Sequence, residues 1–200
     1  MNDPTRLSSF VVVKVGGSLY DHPSLGTGIR QYLEELAAAT VLFVPGGGSV
    51  CNVVRELDRI HHLGEEAAHW LSLTALWTTM EFLRGLIPNS AYLCSPVGGY
   101  APGVYILDCR MFCELDAILP HSWEVTSDSI AVHAAKEFQA SRLILQKSID
   151  ISPGTPWSEA AANGWVDAYF PTAIADANFP IEVVNFRRWL DERFPPKPVN

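Results

Sequence analysis

The sequence predicts a three-layer α/β domain around a mostly parallel sheet. Short continuous apolar runs such as "FVVVKV" and "VLFV" read as strands covered on both faces. These runs alternate with segments whose apolar residues recur at helical spacing, and two of them break directly into glycines. Two hundred residues, 48% of them hydrophobic, suit one such domain over 1–200.

Phe10–Val15 is the first expected strand, and Ile29, Tyr32, Leu33, Leu36 and Ala37 mark a helix after it. Val41–Val44 is the second strand. Val50, Val53, Val54, Leu57 and Ile60 then repeat the helical period, and Leu73, Leu76, Trp77, Met80 and Leu83 give a further helix. The segment "AYLCSPVGGYAPGVYILDC" reads as short strands with loops. Ala131, Ala134, Ala135 and Phe138 mark a helix, followed by the strand "SRLILQ". From Asp150 to Pro180 the pattern weakens to loop chemistry with one short helical candidate. "IEVVN" reads as a last strand, and "FRRWLDERF" as a terminal helix stopped by Pro195 and Pro196.

The formal charge of −8, with acids and bases scattered, argues against nucleic acid or an anionic membrane as partner. No apolar run reaches the ~18 residues of a membrane span, and "MNDPTRLSSF" lacks a signal peptide's charged and apolar regions, so a cytoplasmic protein is expected. The four cysteines form no C-x-x-C pair and read as buried free thiols rather than a disulfide framework or a metal site.

Ligands of such sheets bind beyond the carboxyl ends of the strands. Lys14 stands there, in "VVVKVGGSLY", on the same face as Val12. An ammonium this deep requires an anionic partner, a ligand by this reading, against the simpler one of a lysine that snorkels to the surface or pairs with a structural acid. Gly16-Gly17-Ser18 lets the chain turn close to a ligand. Gly46-Gly47-Gly48 does so directly before a helix, whose free N–H groups suit phosphate oxygens. The spacing matches neither G-x-x-x-x-G-K-[ST] nor G-x-G-x-x-G. In "HSWEVTSDSIA", Ser127 or Asp128 either caps the next helix or, for Asp128, also orients lysines. Lys147, ending "RLILQK", is a second cation at a strand terminus. Two lysines, backbone amides and an orienting Asp are what phosphoryl transfer requires of a protein.

"KVGGS", "VPGGG", "VTSDSIA" and "LILQK", in this order, resemble the amino acid kinase superfamily of aspartokinases, acetylglutamate kinases and bacterial uridylate kinases. "VPGGGSVCNVVRELD", "AAHWLSLTALW", "PHSWEVTSDS" and "VDAYFP" are similar to a narrower branch, the small phosphate kinases of methanofuran biosynthesis. The resemblance spans about Phe10 to Asn185. It implies an αβα sandwich, a homo-oligomer, and ATP with Mg²⁺ as phosphoryl source for a small phosphate acceptor, such as an aminomethylfuran-methyl phosphate. By motif, Lys14 would neutralise the moving phosphoryl group, with Asp128 orienting the lysines. Gly16, Gly17 and Ser18 would line the phosphate channel, and Gly46–Gly48 would hold the acceptor. Arg55, Asp58, His69 and Ser127 would be further acceptor contacts, against the simpler reading of solvated helix faces and a core histidine.

The sequence departs from the superfamily after the "SRLIL" strand. A T-D-V-D-G type turn usually follows, but here the chain reads "QKSIDIS", with Asp150 in the place of the second acid, and the nucleotide-binding part around 147–180 is short. That departure supports one alternative, a descendant that keeps the phosphate-cradling loops without turning over ATP. A second, a kinase for another small carboxylate or phosphate, follows from the triple glycine, which suits either oxyanion.

Overall fold

The valine run lies in the middle of the sheet. In a computed structural model that describes residues 10–195 apart from 39, 99, 116 and 117, β1 (Phe10–Val15) pairs in parallel with β2 (Thr40–Pro45) and β5 (Arg142–Lys147). The N-terminal stretch before Phe10 and Pro196, read above for a leader and a helix stop, lie outside the described residues. Beyond β2 come β4 (Gly103–Leu107) and β3 (Ala91–Leu93), and beyond β5 comes β6 (Ile181–Asn185). The order is β3-β4-β2-β1-β5-β6, and every pairing is parallel. The expected three-layer architecture is present.

Alternation along β1 assigns its side chains to two cores. Val11, Val13 and Val15 face α1 (Leu25–Leu36), α8 (Phe186–Arg193) and the C-terminal half of α3 (Glu65–Leu86), packing with Ile29, Leu83 and Leu190. Val12 faces the opposite layer, formed by α4 (Cys109–Leu115), α5 (Ser127–Glu137), α6 (Trp157–Ala162) and α7 (Phe170–Ala173). The chain runs from β1 to β2 on one side of β1 and later returns as β5 on the other. β1 therefore borders the switch point of the sheet, where a crevice opens at the carboxyl ends of the strands.

Four sequence expectations change in detail. The apolar series on α2 (Gly48–His61) reads as a core stripe, yet only Val54 of that helix is buried, and Val53, Leu57 and Ile60 are exposed. The helix packs on α3 and on the glycine loops, so it borders the crevice instead of covering a sheet face. Trp77 likewise leaves the buried stripe of Leu73, Leu76, Met80 and Leu83. The weak segment after Asp150 holds two short helices, and Ala160, Phe170 and Ala173 anchor them in the core. None of the four cysteines, all among the described residues, forms a disulfide. Cys109 and Cys113 are buried, but Cys51 and Cys94 only partly so. Among the described residues no helix is long and apolar enough to cross a membrane.

Candidate active site

At the end of β1, Lys14 meets Asp128, in the first turn of α5, with Nζ 2.9 Å from Oδ1. The side chain of Lys147 leaves β5 on the same face and donates to both oxygens of that carboxylate, at 2.8 and 2.7 Å. All three residues are buried. Burial favours the neutral form of Asp128, but the two ammonium groups outweigh it and hold the carboxyl below its usual pKa. Lys147 is pushed down to about 8, by burial first and the charge of Lys14 next, against the pull of Asp128. One carboxylate thus serves two lysines, leaving one unit of positive charge for a ligand.

The two glycine loops meet beside this cluster. A Cβ on Gly17 would come within 2.1 Å of the backbone nitrogen of Gly48, whose own φ of +55° lies in the left-handed region. The tyrosine Tyr20 clamps the pair by donating its hydroxyl to the Gly46 carbonyl (2.9 Å), and burial raises its pKa. Gly17→Ala is expected to force backbone from backbone, at a cost of about 2–3 kcal/mol, or roughly 5–10 °C of Tm. A thermal melt checks this, and an unchanged Tm would show that the loops separate freely.

Lys14, Gly17 and Ser18 line a cleft of about 690 Å³ together with Gly47, Gly48 and Ser49. The first N–H groups of α2 have no acceptor within the helix, and here they border an open cleft. Arg55 also lines the cleft, its guanidinium 4.3 Å from the ring centroid of Trp123. His69 and Ser127 contribute to the same wall. The His69 ring stacks on His121 at 4.3 Å between centroids, and burial, with His121 adding to it, pushes its pKa down to about 4. At neutral pH it presents an uncharged ring.

Other candidates stand back from the cleft. The Asp58 carboxylate accepts from Trp123 Nε1 (2.8 Å) and from the Gly64 N–H (3.2 Å), so it holds the wall residue Trp123 in place. The backbone N–H of Gly16 donates to the Gln146 carbonyl (2.9 Å), fastening β1 to β5, and the Gly46 carbonyl is taken by Tyr20. Asp150 pairs with Arg188 at 2.8 Å and accepts from Asn185 Nδ2 at 3.0 Å. The turn after β5 is thereby tied to the start of α8.

Three contributors escaped the sequence reading. Trp123 lies inside the quoted "HSWEVTSDS", and its being the one aromatic side chain there was a usable signal. Arg187, at the start of α8, reaches the Ser18 carbonyl and Asp21, and lines the cleft. Nothing local in the sequence marks it. The third is Asp167. Neither Ser127 nor Asp128 caps α5. The N-cap position is Thr126, whose side chain makes no capping bond to the helix, and Asp167 takes that role from 41 residues further along.

The fold is a three-layer α/β domain around an all-parallel sheet, and it is the architecture of known kinases. Three solved structures share its architecture: uridylate kinase from Archaeoglobus fulgidus (TM-score 0.63, 16% identity, 87% of this chain and 89% of that one), and the UMP kinases of Ureaplasma parvum (0.61, 16%, 89% and 90%) and Bacillus anthracis (0.60, 17%, 90% and 87%). In sequence the chain is similar to the [5-(aminomethyl)furan-3-yl]methyl phosphate kinase of Methanocaldococcus jannaschii, 28% identical over 145 residues. The match takes in 70% of this chain and 66% of that protein, so the chain spans about two thirds of its relative's length. No family model matches.

Proposed function

We propose that the chain is a small-molecule kinase that adds a phosphoryl group to a phosphomonoester, with an aminomethylfuran-methyl phosphate as the foremost candidate acceptor. The observation that carries this reading is the shared cleft. Lys14, held by the same carboxylate as Lys147, faces the glycine cradle at the start of α2 and the cation of Arg55. Similarity to the furan phosphate kinase supports the acceptor class.

When bound, Mg-ATP supplies the γ-phosphoryl group that an oxygen of the acceptor phosphate takes up, giving a diphosphate ester and ADP. The residues present fit that group. Gly17, Ser18 and Lys14 would hold the transferring phosphoryl, with Lys147 adding positive charge behind it. Gly47, Gly48 and Arg55 would hold the acceptor phosphate, and His69, Ser127 and Trp123 would border the rest of the acceptor. Mg²⁺ would accompany the ATP and supply positive charge to its phosphates. Asp128 keeps both ammonium groups in place before the charge moves, which is preorganisation rather than proton transfer.

A second reading has its own observation. With Asp150 tied to Arg188 and Asn185, the turn that forms the nucleotide pocket in the superfamily is spent on an internal contact. That supports a binding protein which keeps the cradle without turnover. Calorimetric titration with Mg-ATP, followed by a transfer assay on the furan-methyl phosphate, separates the two. Saturable nucleotide binding with ADP release on adding acceptor is expected. Acceptor binding by a folded protein that does not bind Mg-ATP would favour the second reading.

The pH profile offers another check. Because Lys147 titrates near 8, turnover is expected to fall as the pH rises through about 8, where the ammonium is lost. Lys147→Arg should carry that descending limb to higher pH, since a guanidinium stays charged. An unmoved limb would assign the titration to another group.

A further inference from the structure

The segment between Asp150 and Pro180 delivers one buried side chain, Asp167, to the start of the helix that carries Asp128. The Asp167 carboxylate is buried and receives four hydrogen bonds from the first turn of α5. Oδ2 accepts from the Thr126 N–H at 2.9 Å, the Thr126 hydroxyl at 3.0 Å and the Ser129 N–H at 3.0 Å, and Oδ1 accepts from the Ser129 hydroxyl at 2.5 Å. These donors come from the residues two before and one after Asp128. An N-cap side chain normally accepts the Ser129 N–H and a capping-box acid the Thr126 N–H, but here one distant acid takes both, together with the two hydroxyls.

We propose that Asp167 is a positioning residue for phosphoryl transfer, fixing the first turn of α5 so that the Asp128 carboxylate stands between Lys14 and Lys147. The proposal rests on the kinase reading for its rate effects. Three observations support a role beyond ordinary capping. The α5 turn supplies no capping side chain of its own, so without Asp167 its free N–H groups lose their acceptor and the turn can shift. Asp128 depends on that turn, because it must sit within 2.7 to 2.9 Å of two ammonium groups that enter from different strands. Finally, Asp167, Asp128 and Lys147 border one small cavity of about 280 Å³, and the Asp167 charge works to raise the Lys147 pKa. The loop that delivers Asp167 is itself anchored, since the Tyr169 N–H donates to the Glu124 carbonyl at 3.0 Å. The short helices of this segment thereby set the position of the charge cluster.

Two substitutions separate the cap from the charge. Asp167→Ala removes every acceptor, whereas Asp167→Asn can place its one oxygen where Oδ2 accepts and turn its amide toward the Ser129 hydroxyl, which rotates to accept. Asp167→Ala is expected to lower kcat at least tenfold with acceptor KM within about threefold, because the acceptor's own contacts are untouched. Asp167→Asn should keep kcat within about threefold of the parent. It should also lower the Lys147 titration midpoint, read by NMR of ¹³C-lysine-labelled protein. A folded Asp167→Ala variant with parental kcat would overturn the proposal, as would a KM rise at unchanged kcat. An Asp167→Asn variant as impaired as Asp167→Ala would overturn the capping role. If Asp167→Ala does not fold, Ser129→Ala takes its place, with a few-fold loss in kcat expected and parental turnover counting against the proposal. The lysine titration does not require turnover. A parent that transfers no phosphate while Asp167→Asn still moves Lys147 would refute the kinase reading alone, and an unmoved Lys147 would refute the coupling of Asp167 to the cluster.

Discussion

Lys14→Ala is expected to reduce phosphoryl transfer by about 10²–10³-fold while leaving the protein folded. The reduction follows from position: the ammonium sits at the end of β1, borders the cleft and faces the glycine cradle across it. A fixed cation there stabilises charge spreading over the oxygens of a transferring phosphoryl group, and water filling the gap cannot do so without reorganising. The fold survives for a separate reason. Asp128 keeps both hydrogen bonds from Lys147, so its buried carboxylate is not left unpaired. Acceptor KM should change little, since Gly47, Gly48 and Arg55 are intact. Steady-state kinetics together with a thermal melt test this, and undiminished turnover in a well-folded variant would remove Lys14 from the mechanism.

Asp128→Asn should impair both rate and stability. An amide offers one acceptor oxygen and turns an N–H₂ toward a lysine, so two buried ammonium groups lose their counter-charge. Breaking such a buried arrangement costs about 3–5 kcal/mol, and transfer is expected to fall by about 10²-fold as the lysines separate. From capping alone Asn would have been harmless, but the structure puts the cap elsewhere, on Asp167. The linkage has a definite sign. The Asp128 pKa is lowered in the folded state, so its stabilisation is present above the unfolded carboxylate value of about 4 and is lost as the pH falls through the lower folded value. Acid melts of parent and variant should therefore converge at low pH. A constant difference in Tm down to pH 2 would contradict the assignment.

The motifs made much of the candidate site legible. Lys14, Gly17, Ser18, the glycines before α2 and Lys147 announce themselves because chemistry at a strand end demands unusual residues in an apolar run, and such residues stand out locally. The parallel sheet was legible for the same reason, as strands buried on both faces leave no alternation to misread. Asp58 and Asp150 show the limit. Each is an acid in a promising place by sequence, but Asp58 serves Trp123 and Asp150 serves Arg188. A carboxylate's role depends on which donor reaches it first, and that donor can be 65 residues away, as Trp123 is from Asp58.

The sequence by itself determined the strands and the longer helices, the side of β1 that Lys14 occupies and the glycine turns that end two of the strands, all local consequences of side-chain period and backbone freedom. The motifs anticipated Asp128 between two lysines, but only the tertiary structure decided that Trp123 backs Arg55 and that Asp167 caps the helix carrying Asp128. These are contacts between residues distant in the chain. Hydrogen bonds and ion pairs of that kind are short-ranged, so they exist only once packing has brought their partners within about 3 Å.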